Sequence, residues 1–398
     1  MRSAALSRQP RLGDTARIAA AGGSRMYRRL AIALAFAAGG ANAADNVFST
    51  SFERAWVSGY IVGYQRNLMP LDAIDFGAVT HLVVGRVTPN ANGTVNRHFD
   101  IDDVNGPIWA RQASAAAHAG GAKAILMVGG AGEYAGWVGA ASNANRATFV
   151  ANLVATAADL GYDGLDLDWE PLPTSDYANL TALVDALRAA APNLVLTMPV
   201  GWINSNFDDT PEPYWGQIAG KLDQFNVMTY DMIWDRDGWQ SWHESALTGE
   251  SGTTPSSVAS SVDFYRRSGV RRTKLGIGIP FYGACWRGVT APRASGGTIA
   301  SSDNAMSYRN IVEGYYAQAL RVWDAAAQVP YLSSATPLGA QQCNFVTYDD
   351  AQSIAAKGAF VRGYGLGGTI IWTVAQGYLP SLPAGQRDPL IQAIKSAF

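Results

Sequence analysis

Asp163-Gly164-Leu165-Asp166-Leu167-Asp168-Trp169-Glu170 puts four carboxylates into eight positions at the end of an apolar stretch. In an extended chain alternate side chains share a face, so Asp166, Asp168 and Glu170 are predicted to point one way while Leu165, Leu167 and Trp169 pack on the other. Three carboxyl groups crowded in a partly desolvated place cannot all ionise cheaply, and at least one holds its proton well above the usual range. A proton held near neutral pH is what a general acid needs. A calcium loop or a solvated acidic face is the competing reading. Calcium sites favour Asx-rich flexible loops closed by a bidentate Glu, and none surrounds this segment.

Outward from the octet, short apolar runs recur at 56–64, 81–87, 124–130, 164–170, 194–200, 224–230, 274–280 and 368–373, eight in all. Stretches of helical period separate many of them, at 108–119, 146–160, 175–191, 255–268 and 350–364, with Ser175 and Asp350 as expected N-caps. Near-continuous apolar strands alternating with helices predict an α/β fold, a closed (β/α)8 TIM barrel. A doubly wound open sheet is the alternative. Barrel chemistry sits at the carboxyl ends of the strands. Glu170 ends the fourth run, and Tyr64, Gly129, Gly130, Met198, Tyr230, Asp231, Tyr282 and Trp372 end others, so they are expected to converge on one mouth. The long gap between runs seven and eight predicts a small α+β insertion at 284–345 that walls the cleft. Gly130-Ala131-Gly132-Glu133-Tyr134-Ala135 fits a dinucleotide fingerprint, but no helix is expected to open directly there, and a tight loop beside the substrate is the preferred reading.

Residues 1–43 read as a signal region. Met26-Tyr27-Arg28-Arg29 is a basic start, 30–38 is an apolar run too short to span a bilayer, and Ala41-Asn42-Ala43 has the form of a cleavage site before Ala44. The five Arg upstream of Met26 fit poorly with a leader, and a true start at Met26 would account for them. The catalytic part is then 44–398, with 23 basic against 31 acidic residues, a net of −8, which argues against nucleic acid as a partner. An exported protein, off the membrane once the leader is gone and working as a monomer, is expected. Cys285 and Cys343 either form a disulfide, contributing about 3 to 4 kcal/mol, or remain buried free thiols. His81, His98, His118 and His243 have no ligand-like spacing, so no metal is expected.

With these motifs in place the chain resembles glycoside hydrolase family 18, the chitinases and their relatives. Asp163, Gly164, Asp166, Asp168 and Glu170 match every fixed position of the signature D-G-x-D-x-D-x-E. Met228-Thr229-Tyr230-Asp231, Gly276-Ile277-Gly278-Ile279-Pro280-Phe281-Tyr282-Gly283 and Gly367-Gly368-Thr369-Ile370-Ile371-Trp372 match at later strands. Trp323-Asp324, Val329-Pro330-Tyr331-Leu332 and Tyr348-Asp349-Asp350 are similar to the insertion and its return. The resemblance implies retaining hydrolysis of chitin or N-acetylglucosamine oligosaccharides, with the substrate's own acetamido oxygen as nucleophile and no cofactor. It implies Glu170 as acid and later base, Asp168 holding the acetamido N–H, Asp166 storing a proton behind it, and Tyr230 donating to the acetamido carbonyl. Asp231, Met228, Trp372, Tyr282, Gly129, Gly130 and Tyr64 are implied as substrate-binding, with Trp372 as a floor under the sugar.

Trp137, Trp202, Trp234 and Trp286 are candidates for outer subsites or plain packing. Met127 stands where the family has a hydroxyl supporting Asp166, so a raised Asp166 is expected; Pro171 and Val374-Ala375-Gln376-Gly377 also depart from the pattern. An endo-β-N-acetylglucosaminidase or muramyl-polymer hydrolase of the same fold, and a chitin-binding lectin, are the alternatives. Retention of Glu170, Asp168 and Tyr230 speaks against the lectin.

Overall fold

The computed structural model describes residues 55–398 apart from positions 208 and 237, so the signal region 1–43 and the cleavage point before Ala44 lie outside the described residues. The strands, in chain order, are β1 (Trp56–Val62), β2 (His81–Pro89), β3 (Val95–Asn96), β4 (Lys123–Gly129), β5 (Gly164–Asp168), β6 (Val195–Gly201), β7 (Gln224–Met228) and β8 (Leu275–Pro280). After them come β9 (Ala284–Arg287), β10 (Thr298–Ser301), β11 (Arg321–Asp324), β12 (Val329–Leu338), β13 (Cys343–Thr347) and β14 (Gly368–Trp372).

Eight of these, β1, β2, β4, β5, β6, β7, β8 and β14, pair in parallel around a ring, and β1 closes it by pairing with both β14 and β2. The closed barrel excludes the open-sheet alternative. The α-helices are α1 (Asn105–Ala119), α2 (Tyr134–Ala140), α3 (Arg146–Leu160), α4 (Tyr177–Ala190), α5 (Pro213–Ala219), α6 (Val258–Arg267), α7 (Tyr308–Gly314), α8 (Ala351–Tyr364) and α9 (Pro389–Ala397).

Strand alternation divides the apolar residues between two compartments. Leu82, Val84, Leu126, Val128, Leu165 and Leu167 face the helices in the main core, while Val83, Ile125, Met127 and Ile370 line the barrel interior with Tyr60, Tyr230 and Tyr282. The interior also holds a polar set: Ser58 donates to Gln224 at 2.8 Å, and Gln224 and Asn226 are joined at 3.2 Å. Pairing of these side chains with one another offsets their desolvation.

Helix ends follow local chemistry. Asp350 caps α8 in a capping box with Ser353, as the sequence predicts, and Gly161 ends α3 at φ 76° in the left-handed region. Ser175 is not a cap; a short 3-10 turn, Thr174–Asp176, leads into α4, whose N-cap is Asp176. A short helix, α2, opens at Tyr134, where the sequence suggested only a loop, and α5, starting at Pro213, was not anticipated.

Between β8 and α8 the chain builds an antiparallel sheet in the order β10-β9-β13-β12-β11. Its core of Met306, Ile311, Tyr315, Leu332, Val346 and Tyr348 surrounds Cys285 and Cys343, which are joined as a disulfide. Among the described residues no helix is long and apolar enough to cross a membrane.

Candidate active site

β5 carries the acidic row between two neighbours. Asp166 sits in register with Met127 of β4 and Thr197 of β6. It is fully buried, accepts the Tyr60 hydroxyl at 2.8 Å on Oδ2, and accepts the Thr197 hydroxyl on Oδ1. Burial pushes the Asp166 carboxyl up to about 6, the hydroxyls of Thr197 and Tyr60 oppose the rise, and the Glu170 charge adds to it. The hydroxyl support expected to be missing with Met127 therefore comes from β6 and β1. The carboxyl is raised because it is dry.

β5 ends at Asp168, and Glu170 follows just beyond it. The Asp168 carbonyl accepts the Gly130 N–H at 2.7 Å and the Trp137 indole N–H at 3.0 Å, which fixes the main chain under the two acids. Burial, then the charges of Glu170 and Asp166, push Asp168 well above the carboxylate range; burial also raises Glu170, against a hydrogen bond from Asp168. Two carboxyls raised side by side in a dry place favour keeping a proton between them. Oδ1 of Asp168 is buried with no hydrogen-bond partner among the described residues, an acceptor turned toward nothing that can donate to it.

Gly129 and Gly130 allow the close approach. Both have positive φ, 89° and 93°, and a Cβ on Gly129 would lie 2.1 Å from Trp137 Nε1. The glycine run thus serves packing against Asp168.

Tyr230, Tyr282, Met228 and Trp372 gather with Tyr60 and Met127 in one cluster at the mouth. The Tyr230 phenol is held protonated by burial and by the negative charges of Asp168, Glu170, Asp231 and Asp166, which places four carboxyls around one hydroxyl. Trp372 is half-buried, its ring 5.5 Å from that of Tyr60. Asp231 adopts φ 55° and accepts the Tyr282 hydroxyl at 2.9 Å. Tyr64 follows β1 in a short turn, 47% exposed, in the field of Asp303, Asp100 and Arg86. Met198, by contrast, is buried in the main core and does not join them.

Two of the four candidate tryptophans are packing residues. Trp137 is fully buried and stacks on Trp169 at 5.0 Å, and Trp286 is fully buried against Phe345. Trp202 and Trp234 are half-buried with ring centroids 5.4 Å apart, beside Trp239 and the exposed Phe207.

Sequence reasoning missed Tyr60, Thr197 and Arg86. Arg86 is the one guanidinium inside the largely apolar run 81–87, a signal the sequence offered. Its Nη1 donates to Gly129 O at 2.9 Å, it pairs with Asp100 at 3.2 Å and Glu133 at 3.4 Å, and its charge opposes the rise of both Asp168 and Glu170.

Against known proteins, residues 57–377 match the profile of the glycosyl hydrolases of family 18. A probable endochitinase of Caenorhabditis elegans is 30% identical over 265 residues, covering 59% of this chain and 40% of that protein. A probable chitinase 2 of Drosophila melanogaster is 30% identical over 255 residues, covering 59% of this chain and 51% of that one, so the chain spans about half or less of either relative. The crystal structure of Ostrinia furnacalis Group IV chitinase in complex with allosamidin superposes with a TM-score of 0.73 at 24% identity, over 86% of this chain and 98% of that one. With a closed barrel, the acidic row at the end of β5 and a match that covers most of its length, the chain belongs to glycosyl hydrolase family 18.

Proposed function

We propose that the protein is a secreted chitinase that cuts β-1,4-linked N-acetylglucosamine chains with retention, the substrate's acetamido group acting as nucleophile. The observation that carries this reading is the buried, unpartnered Oδ1 of Asp168 next to Glu170, two carboxyls that burial pushes above the usual range.

An acetamido N–H is a donor of the kind Asp168 Oδ1 lacks. When Asp168 turns to it, Glu170 takes the shared proton and passes it to the glycosidic oxygen. The acetamido carbonyl oxygen attacks the anomeric carbon as the C–O bond to the leaving sugar breaks, and Asp168 steadies the N–H of the cyclic cation. Glu170, now a carboxylate, takes a proton from water, whose oxygen opens the ring on the same face. Tyr230 directs its hydroxyl to the acetamido carbonyl, and Asp166, raised to about 6, buffers the charge behind Asp168. The face of Trp372 underlies the sugar ring that is cleaved, and Trp202 and Trp234 offer a second apolar face beyond it.

The test is proton NMR of the first product from an N-acetylglucosamine hexamer. The β-anomer is expected at early times; an α-anomer, or equal cutting of a chain stripped of its acetyl groups, refutes the mechanism.

A further inference from the structure

The loop after β7 contains a carboxylic side chain that the chemistry above leaves unused. Glu244 is completely buried. One of its oxygens, Oε1, accepts the main-chain N–H of Asp231 at 2.7 Å, and its main-chain carbonyl accepts the N–H of Met232 at 3.1 Å. Its own N–H is anchored to the Thr347 hydroxyl of β13 at 3.1 Å. The other oxygen, Oε2, is buried without a hydrogen-bond partner, and the Asp231 carboxylate lies close enough for its charge to push the Glu244 carboxyl up.

Two ionised carboxylates that close repel each other, and neither has a hydrogen to give the other. The nearby cations are spent elsewhere. Lys357 directs Nζ to both oxygens of Asp349 at 2.8 Å and to Ser245 at 2.6 Å, while Arg293 is taken by Asp324, which also contacts His243, an imidazole that burial disfavours charging. The remaining groups facing Glu244 are Asp303 and Tyr282, neither of which neutralises it. A single proton on Oε2 resolves both the orphaned oxygen and the like-charge contact. It belongs on Glu244, because Asp231 is exposed and already accepts from Tyr282.

We propose that Glu244 is a positioning residue for Asp231, gripping it at two points: the main-chain N–H with Oε1, and the carboxylate with a hydroxyl on Oε2. The grip holds Asp231 in its left-handed conformation at φ 55°, a backbone state rare outside glycine and open to aspartate where local hydrogen bonds support it. Burial, followed by the Asp231 charge, pushes Glu244 well above the carboxylate range, in agreement with this geometry. The kinetic consequence rests on the reading of Asp231 as a sugar contact; the protonation state does not.

The test therefore has two arms. In protein labelled with carbon-13 at glutamate carboxyls, the signal absent from Glu244→Gln is that of Glu244. It is expected to keep its protonated shift through pH 7 while ordinary glutamates titrate near about 4.3; titration with them overturns the proposal. In Asp231→Asn the same signal is expected to titrate at lower pH, and an unchanged signal counts against the pairing.

On the N-acetylglucosamine hexamer, Glu244→Gln keeps both contacts and is expected to lose no more than about threefold in kcat/KM, whereas Glu244→Leu loses about 10- to 100-fold, chiefly through KM. Equal losses in Gln and Leu overturn the two-point grip. If the wild-type chain cuts no hexamer, the proposed function fails while the carbon-13 titration still decides the grip.

Discussion

Tyr60 on β1 and Asp166 on β5 are joined across the barrel interior by a 2.8 Å hydrogen bond from phenol to carboxyl. That bond and its counterpart from Thr197 are what keep a fully buried Asp166 as low as about 6. The folded chain still holds this proton to higher pH than the unfolded chain does.

A stability cost follows, with a definite sign. Between pH 3.8 and about 6 the folded state binds more protons at Asp166 than the unfolded state, so stability falls as pH rises through that window. The expected loss is about 3 kcal/mol by pH 7, as an upper order of magnitude. Asp166→Asn should therefore melt higher than the wild type at pH 7, with the gap closing toward pH 4, while its activity drops. Denaturant titrations at the two pH values check this.

Glu170→Gln removes the transferable proton and leaves the shape. Turnover on a chitin oligomer should fall on the order of 10³-fold while binding, measured by calorimetry, is retained. Near-normal turnover would exclude Glu170 as the acid.

Arg86 holds down both Asp168 and Glu170. Without its charge both carboxyls rise further, so the acid limb of the kcat/KM profile should move to higher pH in Arg86→Met, and Arg86→Lys should restore part of the shift. A pH–rate profile unchanged in Arg86→Met would show that the guanidinium only braces the loop at Gly129.

Gly278 lies under Tyr230, and a Cβ there would come 2.6 Å from the phenol ring. Gly278→Ala should push the ring off its position and lower kcat by about tenfold or more, since one oriented donor is worth that much. Substrate affinity should change little by comparison, while the melting temperature drops, because the added methyl also crowds the Thr229 main-chain nitrogen at 2.9 Å.

Elements with a strong period were legible in the sequence. α3 spans the residues its apolar pattern predicts, and the barrel follows from eight apolar runs of similar length. The short helices α2 and α5 were not legible, because seven residues carry too little periodicity to stand out from a loop. The acidic row itself was readable because its spacing is local.

Its partners were not. Tyr60 is 106 positions from Asp166, and Thr197 is an ordinary polar residue in an apolar strand until the ring closes and brings β1, β5 and β6 together. At Trp137 the sequence left sugar platform and plain packing both open, and the structure decides for packing. It lies in the short helix α2 just beyond a strand end, where a sugar platform could stand, yet its indole turns inward and donates to the Asp168 carbonyl.

That indole ties catalysis to the interior. Trp137 is stacked between the acid strand's carbonyl and Trp169 with no freedom of its own. Heat should therefore not silence the proposed activity in advance of the fold's collapse: residual activity and tryptophan fluorescence, followed on one temperature ramp, are expected to fall away together.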